Sequence, residues 1–197
     1  MPFLGGSPKL AVVIALTIGT NRPGSNTRKV ARHIRGIYQN MSVALRTIDL
    51  EDLPSEIFAP GAYEEKPEFF LTFSEAIIEA DGLVVVTPEY NGGMPGVLKY
   101  FIDMLKFPDS FQDRPVCFVG IAAGEWGGLR PVEQLQQIFS YRNAHIYPKR
   151  VFIPSVNEAL NEEGNLKSAE LSARLGLQAR GFVTFVEKIK GVTLLNQ

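Results

Sequence analysis

Residues 83–98 read LVVVTPEYNGGMPGVL, and this stretch decides the fold of the chain. The apolar run 83–86 predicts a buried strand, which stops at Thr87-Pro88 because proline has no N–H to donate to a neighbouring strand. Residues 95–107 place apolar side chains on one helix face, with Pro95 in the first turn. The loop between them is longer than the roughly two to six residues that usually join a strand to a helix. The stretch therefore predicts one strand–loop–helix unit of an α/β protein, with a functional loop.

The same alternation of strand and helix patterns runs along the whole chain. Apolar runs predict four further strands, at 10–18, 43–50, 115–121 and 144–153. Helical periodicity predicts further helices at 26–38, 69–78, 132–141 and 166–189, the last of which Gly176 or Gly181 can bend. Residues 54–67 are rich in Pro, Gly and Glu and predict a long loop. Five strands that alternate with helices predict an α/β doubly wound parallel sheet with helices on both faces.

The length of 197 residues fits a single domain over residues 1–197, in which residues 1–9 are predicted to be a flexible N-terminal extension. Two strand orders suit such a chain: the flavodoxin-like order 2-1-3-4-5 and half of a classical dinucleotide-binding fold. In open α/β sheets, ligands bind beyond the carboxyl ends of the strands, where the strand order reverses. In the order 2-1-3-4-5, the loops after strands one, three and four meet at that edge. These are the three most unusual loops of the sequence, which favours the flavodoxin-like order.

The loop after the first predicted strand, residues 19–28, reads GTNRPGSNTR and leads into a helix. Glycines and small hydroxyl residues let backbone N–H groups approach an anion, and the N-terminus of the helix adds partial positive charge. Arg22 or Arg28 can add a charge-assisted hydrogen bond to a phosphate. No Walker A lysine follows Gly24, and Asn21 stands where a Rossmann fingerprint needs its middle glycine. The loop therefore predicts a site for a monophosphate, with an ordinary N-capped turn as the alternative.

Two further loops carry unusual residues. Residues 87–96, TPEYNGGMPG, combine a rigid proline, an aromatic ring, an amide and two glycines, which suit a planar heteroaromatic ligand. An ordinary turn at Asn91-Gly92 is the alternative. Residues 120–129, GIAAGEWGGL, contain glycines that permit close approach of the backbone to the edge of a ring. The only tryptophan, Trp126, either covers a pocket or packs between subunits.

The composition argues against several other classes of protein. The 20 basic and 21 acidic residues leave a net charge of −1, so no general field attracts nucleic acid or an anionic membrane. No apolar run reaches about 18 residues, so no membrane span is predicted. The single cysteine, Cys117, excludes an internal disulfide, favours a cytoplasmic location and is predicted to be a buried apolar filler. His33 and His145 have no ligand pattern beside them, so no metal site is predicted.

Taken together, these segments resemble the NADPH-dependent FMN reductase family, which includes flavodoxin-like quinone, chromate and azo-dye reductases. The likeness rests on TPEYNGGMPGVLK at 87–99, and it is supported by GTNRPGS at 19–25 and GGLR at 127–130. It covers residues 10–154. The resemblance implies FMN as the cofactor, NADPH or NADH as the electron donor, and a flavin, quinone, azo compound or metal oxyanion as the small-molecule acceptor.

The resemblance also implies which residues bind the cofactor. The residues that would hold the FMN phosphate are Thr20, Arg22 and Ser25, with Asn26 or Thr27 as a further phosphate contact. The residues that would line the ribityl chain and the ring are Pro88, Glu89, Tyr90 and Asn91, with Gly124 near the far edge of the ring. No catalytic side chain is implied, because the flavin carries the chemistry. This sequence departs from the family at Glu125, which places an acid near the entrance for the nicotinamide.

Three functions remain open at this point. The first is an NAD(P)H-dependent flavoenzyme, and the second is an FMN-binding electron carrier without NAD(P)H turnover. The third is a scaffold or regulator that has kept the fold and lost the cofactor. The family resemblance further implies a homodimer or homotetramer, to which Phe107, Phe111 and residues 54–67 can contribute.

Overall fold

The computed structural model describes residues 12–195, and side chains are described as far as Gly191; the predicted extension at residues 1–9 lies outside this part. The strands within it are Val13–Ile18 (β1), Ala44–Asp49 (β2), Gly82–Pro88 (β3), Pro115–Ile121 (β4), His145–Ile146 (β5) and Val151–Ile153 (β6). The α-helices within it are Asn26–Asn40 (α1), Glu68–Ile78 (α2), Gly96–Met104 (α3), Leu129–Tyr141 (α4), Val156–Ala159 (α5) and Ala169–Leu195 (α6).

The strands form one parallel sheet in the order β2-β1-β3-β4-β5, which confirms the predicted flavodoxin-like order. The predicted fifth strand, 144–153, is divided. β5 pairs with the start of β4 and β6 with its end, so both occupy the fifth position. Pro148 lies in the interruption, where the missing N–H prevents a continuous ladder.

Helices cover both faces of the sheet and create two apolar cores. One core joins the sheet to α1 and α6, with Val30, Ile34 and Phe182 fully or almost fully buried. The other joins it to α2, α3 and α4, with Phe70 and Phe101 at its centre. Burial of both sheet faces explains why the central strands are almost continuously apolar.

Strand β3 does not stop where the sequence predicts. It continues through Thr87 and Pro88, and Pro88 pairs with Ile121 of β4. The last pair between β3 and β1 is Val86 with Ile18, so Pro88 lies beyond the end of β1. The hydrogen bond to β4 comes from the N–H of Glu89 to the carbonyl of Ile121 at 3.0 Å. Proline is therefore tolerated, because its missing N–H faces no strand on the β1 side.

Two other sequence expectations need correction. The segment 54–67 is not an open loop but folds into two short 3₁₀ turns, Ser55–Phe58 and Pro60–Tyr63. Ile57 is fully buried there, and its carbonyl accepts a 2.6 Å hydrogen bond from the hydroxyl of Tyr100. Phe111 is buried within the protein and is therefore not available to an oligomer interface, whereas Phe107 is exposed.

Helix α6 continues through both glycines that the sequence suggests as bends. Gly181 instead faces Tyr147, whose hydroxyl lies 2.0 Å from the position that a Cβ would take. The glycine therefore lets the ring of Tyr147 pack directly against the helix backbone.

Candidate flavin-binding site

The three unusual loops meet at the carboxyl edge of the sheet, where the strand order reverses between β1 and β3. A cleft of about 410 Å³ opens there. It is lined by residues 22–27 after β1, 88–90 after β3, 121–123 after β4 and 156–157 in α5. The contribution of α5 has no signal in the sequence, because Val156 and Asn157 are distant from every motif in the chain.

The first loop presents the N-terminus of α1 to the cleft. Ser25 is the N-cap residue, and its hydroxyl accepts a 3.3 Å hydrogen bond from the backbone N–H of Arg28. Gly24 precedes it with a φ of 64°, a conformation that favours glycine. The capped turn does not exclude an anion site, because capping leaves the other N–H groups of the first turn free for a ligand.

Asn26 and Thr27 both line the cleft, but their surroundings differ. The amide of Asn26 donates a 2.7 Å hydrogen bond to the Oδ1 of Asn157, which connects α1 to α5 across the cleft. Thr27 is buried. Both residues belong to the first turn of α1, at the end of the helix that faces the cleft.

The structure separates the roles of the two arginines that the sequence leaves open. Arg28 forms a bidentate ion pair with Asp49, at 2.7 and 2.9 Å, and also contacts Glu51. The hydrogen bond to Asp49 raises the pKa of the Arg28 guanidinium. Arg22 is exposed, lines the cleft, and has no ion pair within residues 12–195. Arg22 is therefore the arginine that remains free for an anion in this cleft.

The second loop begins with a tight turn. Tyr90 and Gly93 exchange backbone hydrogen bonds of 2.9 and 3.0 Å, and the residues between them, Asn91 and Gly92, have φ values of 51° and 77°. Two successive positive φ angles define a type I′ turn, for which Asn-Gly is the preferred pair. Asn91 is exposed at the tip of this turn and does not line the cleft. The turn by itself accounts for asparagine at this position.

A hydroxyl pair connects the first and second loops. The Oγ1 of Thr20 lies 3.0 Å from the hydroxyl of Tyr90, and it also accepts a 3.2 Å hydrogen bond from the backbone N–H of Arg22. Thr20 is fully buried beneath the cleft. Its hydroxyl therefore fixes both the ring of Tyr90 and the backbone of the first loop.

Glu89 carries an unusual carboxylate. One oxygen, Oε1, forms a 2.7 Å ion pair with Arg130 at the start of α4. The other oxygen, Oε2, is buried and has no hydrogen-bond partner among the described residues. A buried acceptor without a donor is costly, so a ligand that donates a hydrogen bond here gains affinity. The sequence alone does not predict that Arg130 pairs with Glu89, although Arg130 belongs to the GGLR segment at 127–130 that resembles the family.

Gly120, Gly127 and Gly128 of the third loop permit close packing within the protein, whereas a Cβ on Gly124 would meet no atom within 4 Å. A Cβ on Gly120 would lie 2.6 Å from the carbonyl oxygen of Gly128, so strand β4 and the start of α4 touch through their backbones. Gly124 is exposed and lies just outside the cleft lining, next to Ala122 and Ala123 inside it. Its carbonyl accepts a 3.2 Å hydrogen bond from the N–H of Ser155, which holds the third loop against the entry to α5. Glu125 and Trp126 are exposed on the same loop.

The remaining candidate residues are accounted for by their positions in the fold. Cys117 is buried in β4, and burial raises the pKa of its thiol. His33 is partly buried in α1, which lowers the pKa of its imidazole. Among the described residues, no group of three His, Cys, Asp or Glu side chains is placed to hold a metal ion. Every helix in the described part of the chain is too short or too polar to cross a lipid bilayer.

The parallel sheet in the order β2-β1-β3-β4-β5, with a cleft at its switch point, places the protein in the class of flavodoxin-like α/β folds. A family model described as NADPH-dependent FMN reductase matches residues 12–158. The chain belongs to this family, and it is an oxidoreductase that works with FMN and a nicotinamide donor.

Individual proteins agree with this assignment. The chain is 32% identical over 194 residues to a quinone reductase of Escherichia coli, a match that covers 93% of this chain and 99% of the relative. It is 29% identical over 180 residues to an NAD(P)H-dependent FMN reductase of Pseudomonas aeruginosa, covering 88% of this chain and 94% of that protein. Among solved structures, the flavoenzyme NAD(P)H:(acceptor) oxidoreductase FerB of Paracoccus denitrificans has the same fold. Its TM-score is 0.77 at 21% identity, with 90% of this chain and 98% of that chain covered.

Proposed function

We propose that this chain uses NADPH to reduce FMN bound in the 410 Å³ cleft and passes the electrons to a quinone. One observation carries the proposal: the N-terminus of α1 and residues 88–90 line the same cleft. A quinone as acceptor is supported by the quinone reductase of Escherichia coli among the relatives. Free flavin, azo compounds and metal oxyanions are proposed as further acceptors, because the resemblance to the family implies them.

The phosphate end of FMN fits the first loop. The first turn of α1 supplies backbone N–H groups and partial positive charge, and α1 has no acidic residue in its first turn to oppose an anion. Arg22 supplies a full positive charge without a competing carboxylate in the described part of the chain. We assign phosphate binding to Thr20, Arg22, Ser25, Asn26 and Thr27, with Thr20 acting through its contacts to the backbone of Arg22 and to Tyr90.

The ring end of FMN fits the second loop. Pro88, Glu89 and Tyr90 form one wall of the cleft, and the buried Oε2 of Glu89 offers an acceptor to an N–H or O–H donor. Flavin carries both kinds of donor, in its ring and its ribityl chain. We assign Asn91 and Gly124 to the outer edge of the ring site, because both are exposed beside residues that line the cleft.

When bound, FMN supplies the acceptance of hydride from a nicotinamide and the delivery of electrons to an acceptor. The protein binds and orients the partners. We propose no catalytic acid, base or nucleophile, because the flavin carries the chemistry. Arg130 holds the Glu89 carboxylate in place beside the cleft through the 2.7 Å ion pair.

The proposal is tested by the visible spectrum of the purified protein with FMN. We expect protein-bound flavin bands that bleach when NADPH is added without oxygen and return when a quinone is added. Protein that binds FMN but is not bleached by NADPH or NADH would indicate an electron carrier instead. Protein that takes up no FMN would overturn the assignment of the cleft.

The variant Tyr90→Phe removes the hydroxyl that contacts Thr20 at 3.0 Å and keeps the aromatic wall. A neutral hydrogen bond contributes about 0.5–1.5 kcal/mol, so we expect the Kd for FMN to rise about threefold. Quenching of FMN fluorescence during titration measures the change. Tyr141→Phe is the matched control, because Tyr141 is 80% exposed and lies outside the cleft. Equal Kd values for both variants would show that the Thr20–Tyr90 contact does not support the site.

We further propose a homodimer or homotetramer in the cytoplasm. Three aromatic side chains on the segment before and within the start of α2 are about half exposed: Phe58 at 51%, Tyr63 at 52% and Phe69 at 55%. Phe58 and Tyr63 both contact the ring of Tyr100, and exposed aromatic side chains are typical of protein interfaces. The lone, buried cysteine suits a reducing compartment. Light scattering after size-exclusion chromatography measures the mass of the assembly.

A further inference from the structure

Helix α1 has an unusual charge. It contains Arg28, Lys29, Arg32 and Arg35 and no aspartate or glutamate, in a chain whose net charge is −1. Two of these cations lie in the first turns, where the helix dipole makes positive charge unfavourable. Anions bound nearby offset this cost.

Three of the arginines share one face of the helix, because residues 28, 32 and 35 are spaced by four and three. This face borders a cleft of about 230 Å³ between α1 and the edge strand β2. Thr47 and Asp49 of β2 form the opposite wall, and the floor is apolar. We call this the arginine cleft; it is lined by Leu16, Ile18, Arg28, Ala31, Arg32, Arg35, Thr47 and Asp49.

The charges of the arginine cleft are not balanced. Asp49, the one acidic residue in its described lining, is held by Arg28 in a bidentate pair, and the same guanidinium contacts Glu51. Arg32 and Arg35 are exposed, and neither has an ion pair within residues 12–195. Arg46 of the same strand is paired with Glu79 instead. Within the described residues, Asp49 and Glu51 are both paired with Arg28. The guanidinium groups of Arg32 and Arg35, three residues apart on one helix, therefore flank the concave site without an ion-pair partner of their own.

The arginine cleft shares no lining residue with the cofactor cleft. We propose that it binds a phosphate group as a second anion site. Arg32 and Arg35 donate charge-assisted hydrogen bonds from planar groups that match phosphate oxygens. Arg28 is paired with Asp49 and Glu51, so the positive charge for the phosphate comes from Arg32 and Arg35, and the hydroxyl of Thr47 is a further donor.

Two sources can supply this phosphate group. One is a phosphate ester that binds independently of the redox reaction. The other is the 2′-phosphate of NADPH, in which case the arginine cleft selects NADPH over NADH; this second source rests on the proposed function. Both sources require the same two arginines, and kinetics with the two nucleotides distinguishes them.

The test uses equilibrium dialysis of radiolabelled inorganic phosphate against protein saturated with FMN, so that the cofactor cleft is filled. Flavin absorbance reports the saturation and thus tests the proposed function separately. The double variant Arg32→Gln/Arg35→Gln is compared with Arg174→Gln/Arg180→Gln, which removes the same charge from exposed positions on α6. We expect the native protein and the α6 variant to bind phosphate equally, and the α1 variant to bind it about tenfold more weakly.

Kinetics then identifies the source of the phosphate. A KM for NADPH that rises about tenfold in the α1 variant, with the KM for NADH unchanged, assigns the cleft to the nucleotide. Unchanged KM values for both nucleotides, together with weakened phosphate binding, assign it to an independent phosphate ester. The proposal would be overturned if native protein saturated with FMN bound no inorganic phosphate. It would also be overturned if the α1 variant bound phosphate as tightly as the α6 variant does.

Discussion

The variant Gly128→Ala is expected to lose about 4 kcal/mol of folding free energy and, with it, the shape of the cofactor cleft. Gly128 has a φ of 85°, and a Cβ there would lie 2.5 Å from the backbone nitrogen of Ile121. A left-handed conformation costs a non-glycine residue about 1–3 kcal/mol, and overpacking adds about 1–3 kcal/mol. Neither strain can be relieved by a side-chain rotation, because the opposing atoms belong to the backbone of β4.

Urea denaturation of the FMN-free protein measures this loss. Gly124→Ala is the matched control in the same loop, because its Cβ would meet no atom within 4 Å. Its free energy of unfolding should stay within about 0.5 kcal/mol of the native value. A Gly128→Ala protein as stable as this control would show that the loop can move away from β4 without cost, which contradicts the packing described above.

The variants Arg22→Ala and Arg22→Glu are expected to raise the Kd for FMN about tenfold and about a hundredfold, respectively. A hydrogen bond to a charged group contributes about 1.5–3 kcal/mol, and the exposure of Arg22 favours the lower end. Reversal of the charge adds repulsion between the new carboxylate and the phosphate. Because the contact is exposed to solvent, salt should weaken FMN binding to the native protein more than to Arg22→Ala.

Riboflavin provides the control for this assignment, since it has the same ring and ribityl chain without the phosphate. Its affinity should be equal in the native protein and in Arg22→Ala. Arg174→Ala, an exposed arginine on α6 outside the cofactor cleft, should leave FMN binding unchanged. An Arg22→Ala protein with native affinity for FMN would show that the first turn of α1 binds the phosphate without this side chain.

Helix and strand positions followed from local pattern along most of the chain. The alternation of apolar runs with helical periodicity predicted the parallel sheet, and unusual loops after three strands predicted its order. The predictions failed where a contact with a distant residue decides the local structure. Pro88 is accommodated in β3 because β1 has already ended, and Ile57 is buried in the same core as Phe70 and Phe101, where its carbonyl accepts a hydrogen bond from Tyr100. Neither partner is near in sequence.

The candidate site also combines features that local sequence predicts with features that depend on contacts between distant residues. The first and second loops were visible as motifs because their glycines, hydroxyls and proline are clustered in sequence. The pair of Glu89 with Arg130 and the bond from Asn26 to Asn157 join residues that are far apart along the chain. In the third loop, Gly120 and Gly128 are required by the contact between their own backbones, which the sequence does not reveal.

The sequence by itself determined the class of fold, the three loops that form the site and the resemblance to the NADPH-dependent FMN reductases, because these depend on local pattern and residue type. Only the tertiary structure decided which arginine is free for the cofactor cleft, why the glycines are needed and that α1 borders a second basic cleft. Arg22 and Arg28 are equivalent in composition. They differ because β2 carries Asp49 to one of them, and only the folding of β2 against α1 brings that carboxylate within 2.7 Å.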